Sequence, residues 1–244
     1  MIRTSLLACA AALTLALAAP AMAADLAGDH IPTAKGDLVI HPANHAGMVL
    51  SWGGKIIYVD PVGAMYYQGL PAPDLILLTD IHGDHMDPAT LNALAGTAPI
   101  VAPQAVHDML PPALQGRVQV LANGASTTVQ TVPIMAVPMY NTSADRLKFH
   151  TKGRGDGYVL TLGGKRIYIA GDTEGTPEML ALKNIDVAFL PMNLPYTMTE
   201  EQAADAVKAF KPKIVYPYHY KGSDPQKFAT LVGSASEVRL RNWY

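Results

Sequence analysis

The chain has 244 residues, half of them hydrophobic and 16% charged, with a formal net charge of -2 at pH 7. That is enough apolar material for one large α/β core, and it excludes a basic nucleic-acid surface and an acidic solvating tail. The single cysteine, Cys9, falls within the first two dozen residues, so beyond them disulfides, thiolate ligands and cysteine nucleophiles are excluded together.

Residues 1–23 read as a signal peptide, with Arg3 as the positive start, an apolar run from Leu6 to Ala19, and Ala21-Met22-Ala23 as the cleavage site. The expectation is an exported chain, periplasmic or secreted, whose residues 24–244 form one domain with no stable membrane anchor. A polar lead-in then reaches a strand over 37–41. Residues 47–51 and 55–60 predict a hairpin across Gly53-Gly54, a favoured two-residue turn. The apolar run in 74–79 predicts a buried strand. Asp87 and Pro88 supply the N-cap and first turn of a helix over 88–94. Strand 99–102, helix 104–110 and strands near 117–121, 127–132 and 134–140 follow. Residues 157–169 (GYVLTLGGKRIYI) repeat the hairpin at 47–59 (GMVLSWGGKIIYV), which favours two related halves. A helix over 177–182, a strand over 187–190, a helix over 200–210 with Thr199 and Gln202 in capping-box spacing, and strands over 213–216 and 237–241 complete the pattern.

Between the strand at 74–79 and the helix at 88–94 lies Asp80-Ile81-His82-Gly83-Asp84-His85, two carboxylates and two imidazoles in six positions. Burying such a set without a compensating cation is expensive, and one or two divalent ions remove the cost. Asp80 and His82 can face one ion while Asp84 and His85 face another. Asp172 and His219 also follow predicted buried strands, at the sheet edge where α/β folds collect ligands. With no sulfur, the set suits manganese or iron as well as zinc.

The run TDIHGDH resembles the HxHxDH signature of the metallo-β-lactamase superfamily. Gly171-Asp172-Thr173 is similar to its bridging aspartate, and Tyr218-His219 to its C-terminal histidine. The stretch from Asn44 to Gly63 resembles the opening of the branch containing ascorbate-phosphate lactonase and related metal-dependent hydrolases. The resemblance implies an αββα four-layer sandwich built from two similar halves. It implies that His82 binds a first ion, that Asp84, His85 and His219 bind a second, and that Asp172 bridges them. Asp80 stands where the family has its first histidine, and Asn141 where a third ligand of the first ion is expected, which leaves that position open to loose binding, a harder ion or none.

The implied reaction is hydrolysis of a small ester, lactone or phosphoester by a metal-held hydroxide, with Asp84 and His219 at the catalytic centre and Tyr140 as a candidate oxyanion donor. Tyr196 and Tyr218 are further tyrosine candidates. Lys148, His150, Arg154 and Tyr196 are expected to contact substrate at the pocket mouth. Asp60 is expected to orient a ligand histidine from behind, with His45 beside it. The alternatives are a non-catalytic metal- or ligand-binding protein of the same fold, or a β-lactamase or phosphodiesterase.

Overall fold

The computed structural model describes residues 26–94 and 96–244. The leader at 1–23 and Cys9 lie outside the described residues. The first half of the chain lays down β1 (Asp29–Ile31), β2 (Leu38–Asn44), β3 (Gly47–Trp52), β4 (Lys55–Val59), β5 (Leu75–Leu77), α1 (Pro88–Leu94), β6 (Ile100–Ala102), α2 (Gln104–Met109), α3 (Pro112–Gln115) and β7 (Val118–Val120). The second half lays down β8 (Ser126–Val129), β9 (Val132–Met139), β10 (Gly155–Leu162), β11 (Lys165–Ile169), α4 (Pro177–Leu180), β12 (Val187–Pro191), α5 (Glu200–Phe210), β13 (Ile214–Tyr218), α6 (Pro225–Val232) and β14 (Glu237–Val238).

Each half forms its own seven-stranded sheet in strict chain order. In both, the first four strands are antiparallel and the last three join in parallel. The repeated hairpins have the same register: Val49 faces Tyr58 and Val159 faces Tyr168, while Leu50 faces Ile57 and Leu160 faces Ile167. Both turn on a glycine pair with positive φ at each position, the conformation whose twist matches the flanking strands. The repeat extends past the hairpins. Asp74 accepts the Ile56 amide at 2.9 Å and Asp186 accepts the Arg166 amide at 2.9 Å, each pinning the next strand to the hairpin.

Alternation along the strands sorts side chains into layers. From the first sheet Leu38, Ile40, Leu50, Ile57, Val59 and Leu77, and from the second Ile134, Leu160, Ile169, Phe189 and Tyr218, fill the space between the sheets, together with Trp243. The opposite faces are covered by helices: Leu91, Val106 and Leu114 pack on Ile76 and Leu78, and Ala203, Val207, Phe210 and Phe228 pack on Tyr168 and Leu190. The architecture is therefore helix, sheet, sheet, helix, as the resemblance implies. Three elements go beyond the expected set: β1, α3 and α6. The last strand is also shorter than expected, because only Glu237 and Val238 find partners on β13.

Candidate metal centre

The parallel strands of both sheets release their C-terminal loops at one edge, and the chemistry collects there. Asp60 ends β4 in left-handed backbone (φ 42°) and is wholly buried. Its Oδ1 accepts the Thr79 amide at 2.8 Å, and its Oδ2 accepts the Thr79 hydroxyl at 2.6 Å and His85 Nδ1 at 2.8 Å. With Nδ1 donating to a carboxylate, the His85 Nε2 lone pair is turned to the opposite side, 3.4 Å from Asp172 Oδ2. Asp172 lies two residues beyond Ala170, the residue after β11, at a place where Gly171 adopts φ 66° and gives its amide to the buried Tyr218 hydroxyl at 2.9 Å. His150 Nε2 stands 3.2 Å from Asp172 Oδ2, and His219 Nε2 stands 3.3 Å from Asp172 Oδ1.

Burial alone would raise the pKa of Asp172, but the His219 and His85 imidazoles and the His150 contact hold it well below the usual carboxylate range. Burial likewise opposes a proton on His85, and the Asp172 and Asp60 carboxylates overcome it, raising its pKa well above 6.5. Loading this set with a divalent ion requires that proton to leave, so uptake must be favoured by rising pH.

Among the described residues three groups of donors, two of them sharing His219, have the spacing to hold a cation: Asp80, His82 and His150; His85, Asp172 and His219; and His45, Asp84 and His219. His85 Nε2, His150 Nε2 and Asp172 Oδ1 are buried and make no hydrogen bond, which in a native core signals a missing partner. A set of imidazole and carboxylate donors with unsatisfied lone pairs converging on one space fits a divalent ion. The space is a cavity of about 280 Å³ with His82, His150, Asp172 and His219 on its floor and Phe149, Tyr196 and Asn193 on its walls. A cleft of about 390 Å³ over β8, β9 and β10 is larger, but no acid or imidazole lines it.

The structure brings Asp80, His82, Asp84, His85, Asp172 and His219 together at this floor. Asp84 also reaches toward His45, whose Nε2 lies 3.0 Å from Asp84 Oδ2 and whose Nδ1 lies 2.8 Å from the Tyr244 hydroxyl. Burial would raise the Asp84 pKa, but His219 and His45 lower it strongly. Burial lowers the pKa of His45 despite Asp84.

The other expected residues take up different places. Asn141 gives its Nδ2 to the carbonyls of Tyr196 (2.6 Å) and Arg146 (3.1 Å) and lies 3.2 Å from His150 Nδ1, while its buried Oδ1 has no hydrogen-bond partner. The side chain standing in its stead is His150, expected at the pocket mouth but almost wholly buried. Its Nδ1 lies 3.2 Å from the Tyr196 carbonyl, which aims Nε2 at Asp172. Arg154 does not wait for substrate, because its guanidinium is paired with Asp80. Lys148 places its ammonium 5.0 Å above the Phe149 ring and does not line the cavity. The Tyr140 hydroxyl donates to Glu178 at 2.8 Å and meets Lys152 at 3.3 Å, away from the cavity, so it cannot serve an oxyanion there. Tyr218, whose hydroxyl oxygen accepts the Gly171 amide, does not line the cavity, and Tyr196 does.

The loop carrying His150 is set by residues that sequence reasoning passed over. The buried Glu174 carboxylate accepts the amides of Thr142 (2.7 Å) and Ser143 (2.6 Å) and one guanidinium nitrogen of Arg146 (2.8 Å). The same nitrogen reaches the Thr197 carbonyl and Gln202. A Glu two residues after Gly171-Asp172 and an Arg in the 146–154 basic cluster were the only sequence signals for this anchor. Tyr244 had none.

Across residues 40–219 the sequence matches the model of a family described as the beta-lactamase superfamily domain. A relative named UPF0173 metal-dependent hydrolase, from Pyrococcus abyssi, is 34% identical over 209 residues, covering 80% of this chain and 92% of its own length. A solved structure from Parabacteroides distasonis, of a protein named for metal-dependent hydrolysis, is 42% identical with a TM-score of 0.82, covering 88% of this chain and 98% of that one. Igni18, a metallo hydrolase from the archaeon Ignicoccus hospitalis, is 25% identical with a TM-score of 0.70, covering 84% and 94%.

Proposed function

The chain belongs to the beta-lactamase superfamily and is a metal-dependent hydrolase of that fold, and from that premise we propose that it hydrolyses a small neutral ester or lactone. The observation that carries the reading is the convergence of His85 Nε2, His150 Nε2 and Asp172 Oδ1, buried and without hydrogen-bond partners, beneath a cavity of about 280 Å³. That volume admits a small molecule. No lysine or arginine lines it, which favours a carbonyl substrate over a phosphoester needing fixed cations around its charge.

In this reading Asp80, His82 and His150 would hold one divalent ion and Asp84, His85 and His219 another, with Asp172 available to both. Such an ion supplies Lewis acidity and brings the pKa of water from 15.7 to about 7. The protein's own residues do the rest. Asp60 keeps the proton on His85 Nδ1, and the Tyr196 carbonyl takes that of His150 Nδ1, so both Nε2 atoms face the cavity as lone pairs. Asp84 Oδ2, joined to His45 Nε2, is held in position by the His45 and Tyr244 pair. Phe149 and Tyr196, ring centroids 5.0 Å apart, line one side of the cavity. Residues 1–23 support export, and an N-terminus at Ala24 in the purified exported protein is the matching test.

The deciding experiment is elemental analysis of purified protein, joined to a panel of esters, lactones and phosphodiesters. One or two ions per chain are expected, with turnover of an ester or lactone that chelation abolishes, divalent metal restores and Asp172→Asn removes. Protein that binds no zinc, manganese or iron overturns the reading, as does loaded protein that turns over nothing in the panel.

A further inference from the structure

Asp80 is wholly buried, and its charge is already answered from within the chain. Arg154 Nε lies 3.1 Å from Oδ1 and Arg154 Nη2 lies 3.0 Å from Oδ2, one nitrogen to each oxygen. The guanidinium cannot easily turn away, because Nη2 also donates to the Phe149 carbonyl at 2.6 Å. His82 Nδ1 approaches the same carboxylate at 2.7 Å. The other side of the centre is different. Among the described residues the ion-pair partners of Asp84 and Asp172 are histidines alone.

The two ion positions therefore present unequal charge. Around His85 and His219, two carboxylates face a cation with no fixed positive group beside them. Around His82 and His150, the one carboxylate besides the shared Asp172 is already paired with the Arg154 guanidinium. A carboxylate has lone pairs to spare for a metal even while it accepts a guanidinium, so the position is weakened and not abolished.

We propose that Arg154 is a built-in cation that makes the centre asymmetric, so that the Asp84, His85, Asp172 and His219 position fills first and the Asp80, His82 and His150 position binds at least tenfold more weakly. The inference rests on the metal-centre reading above. It assigns Arg154 as a positioning and affinity-setting residue that touches neither substrate nor ion.

The test is calorimetric titration of metal-free, full-length wild-type, Arg154→Gln and Arg154→Lys proteins with zinc and with manganese. Glutamine keeps a hydrogen bond to Asp80 without the charge, and lysine keeps the charge. The wild type should bind in two steps at least tenfold apart, or in a single step of one ion per chain. In Arg154→Gln the weaker step should tighten tenfold or more, or a second step should appear, with the tighter step unchanged within twofold. Arg154→Lys should resemble the wild type. Two equal steps in the wild type, or a weaker step that Arg154→Gln leaves unchanged or loosens, would overturn the inference and leave the metal centre standing. No uptake by the wild type would overturn both. Should Arg154→Gln not fold, wild-type crystals soaked in limiting zinc decide the matter by anomalous scattering. Density first at His85 and His219 supports the proposal, and density first at His82 and His150 or equally at both overturns it.

Discussion

Asp156, on β10 behind the centre, is a carboxyl whose charge the fold opposes. It is buried, its Oδ2 has no partner, and burial pushes its pKa up to about 7 against the single amide donated by Asn123. In the unfolded chain an aspartate titrates near 3.9. Between those values the folded state holds a proton that the unfolded state has released, so stability falls as pH rises from about 4 to about 7 and is level outside that window. The full effect is on the order of 4 kcal/mol. Asp156→Asn keeps the acceptor for Asn123 and removes the titration. Thermal melts should show the variant ~10 °C more stable than wild type at pH 8 and indistinguishable from it at pH 4. Equal melting temperatures at pH 8 would refute the assignment. A second cost is visible at His45, Asp60 and His219, all in left-handed backbone with φ of 56°, 42° and 49°. Side-chain-bearing residues pay of order 1–3 kcal/mol each for that conformation, and all three sit at or directly behind the centre.

Among the elements, α5 shows local sequence and global fold in agreement. Thr199 accepts the Gln202 amide at 3.1 Å while the Gln202 side chain accepts the Thr199 amide at 3.0 Å. Thr199→Ala should cost about 1 kcal/mol and lower the melting temperature by about 2–4 °C, with metal content unchanged. A variant as stable as wild type would show that packing of Ala203, Val207 and Phe210 alone holds the helix. The capping box made this helix readable to the residue, and the glycine-pair turns placed both hairpins to within one or two residues, because those signals are local. The Asp-Pro start of α1 recurs at Asp224-Pro225 and opens α6, which the sequence reading above leaves out although the signal is present. The site was readable to the level of the loop. That Asp80, His82, Asp84, His85, Asp172 and His219 would meet followed from their places after buried strands. Which side chain of the 141–154 loop turns inward did not follow, because Glu174 decides it through contacts about thirty residues away in sequence. The same limit applies to Arg154, which reads as part of a basic surface cluster until Asp80 is found beside it.

At the scale of the molecule, every donor group among the described residues that can hold a cation draws on both halves of the chain. Asp80 and His82 meet His150, His85 meets Asp172 and His219, and His45 and Asp84 meet His219. A bound ion is therefore a cross-link between the sheets as well as a reagent. Free metal at a hundred times its dissociation constant should stabilise the folded state by about 2.7 kcal/mol, which for a chain of this size raises the melting temperature by ~5–10 °C. Calorimetric scans with and without chelator measure this directly, and coincident scans would show that a bound ion adds nothing to the protein's own contacts between the halves.

The strict chain order of strands within each sheet has a consequence for when activity can begin. No strand is borrowed across the halves, so each sheet can complete its hydrogen-bond ladder from its own residues. A half that has folded alone then owns well-formed loops and no centre, because half of every donor group is elsewhere. Hydrolytic competence becomes a coincidence signal, present only when two separately formed sheets are docked in register. A chain whose sheets are not docked has no complete donor group.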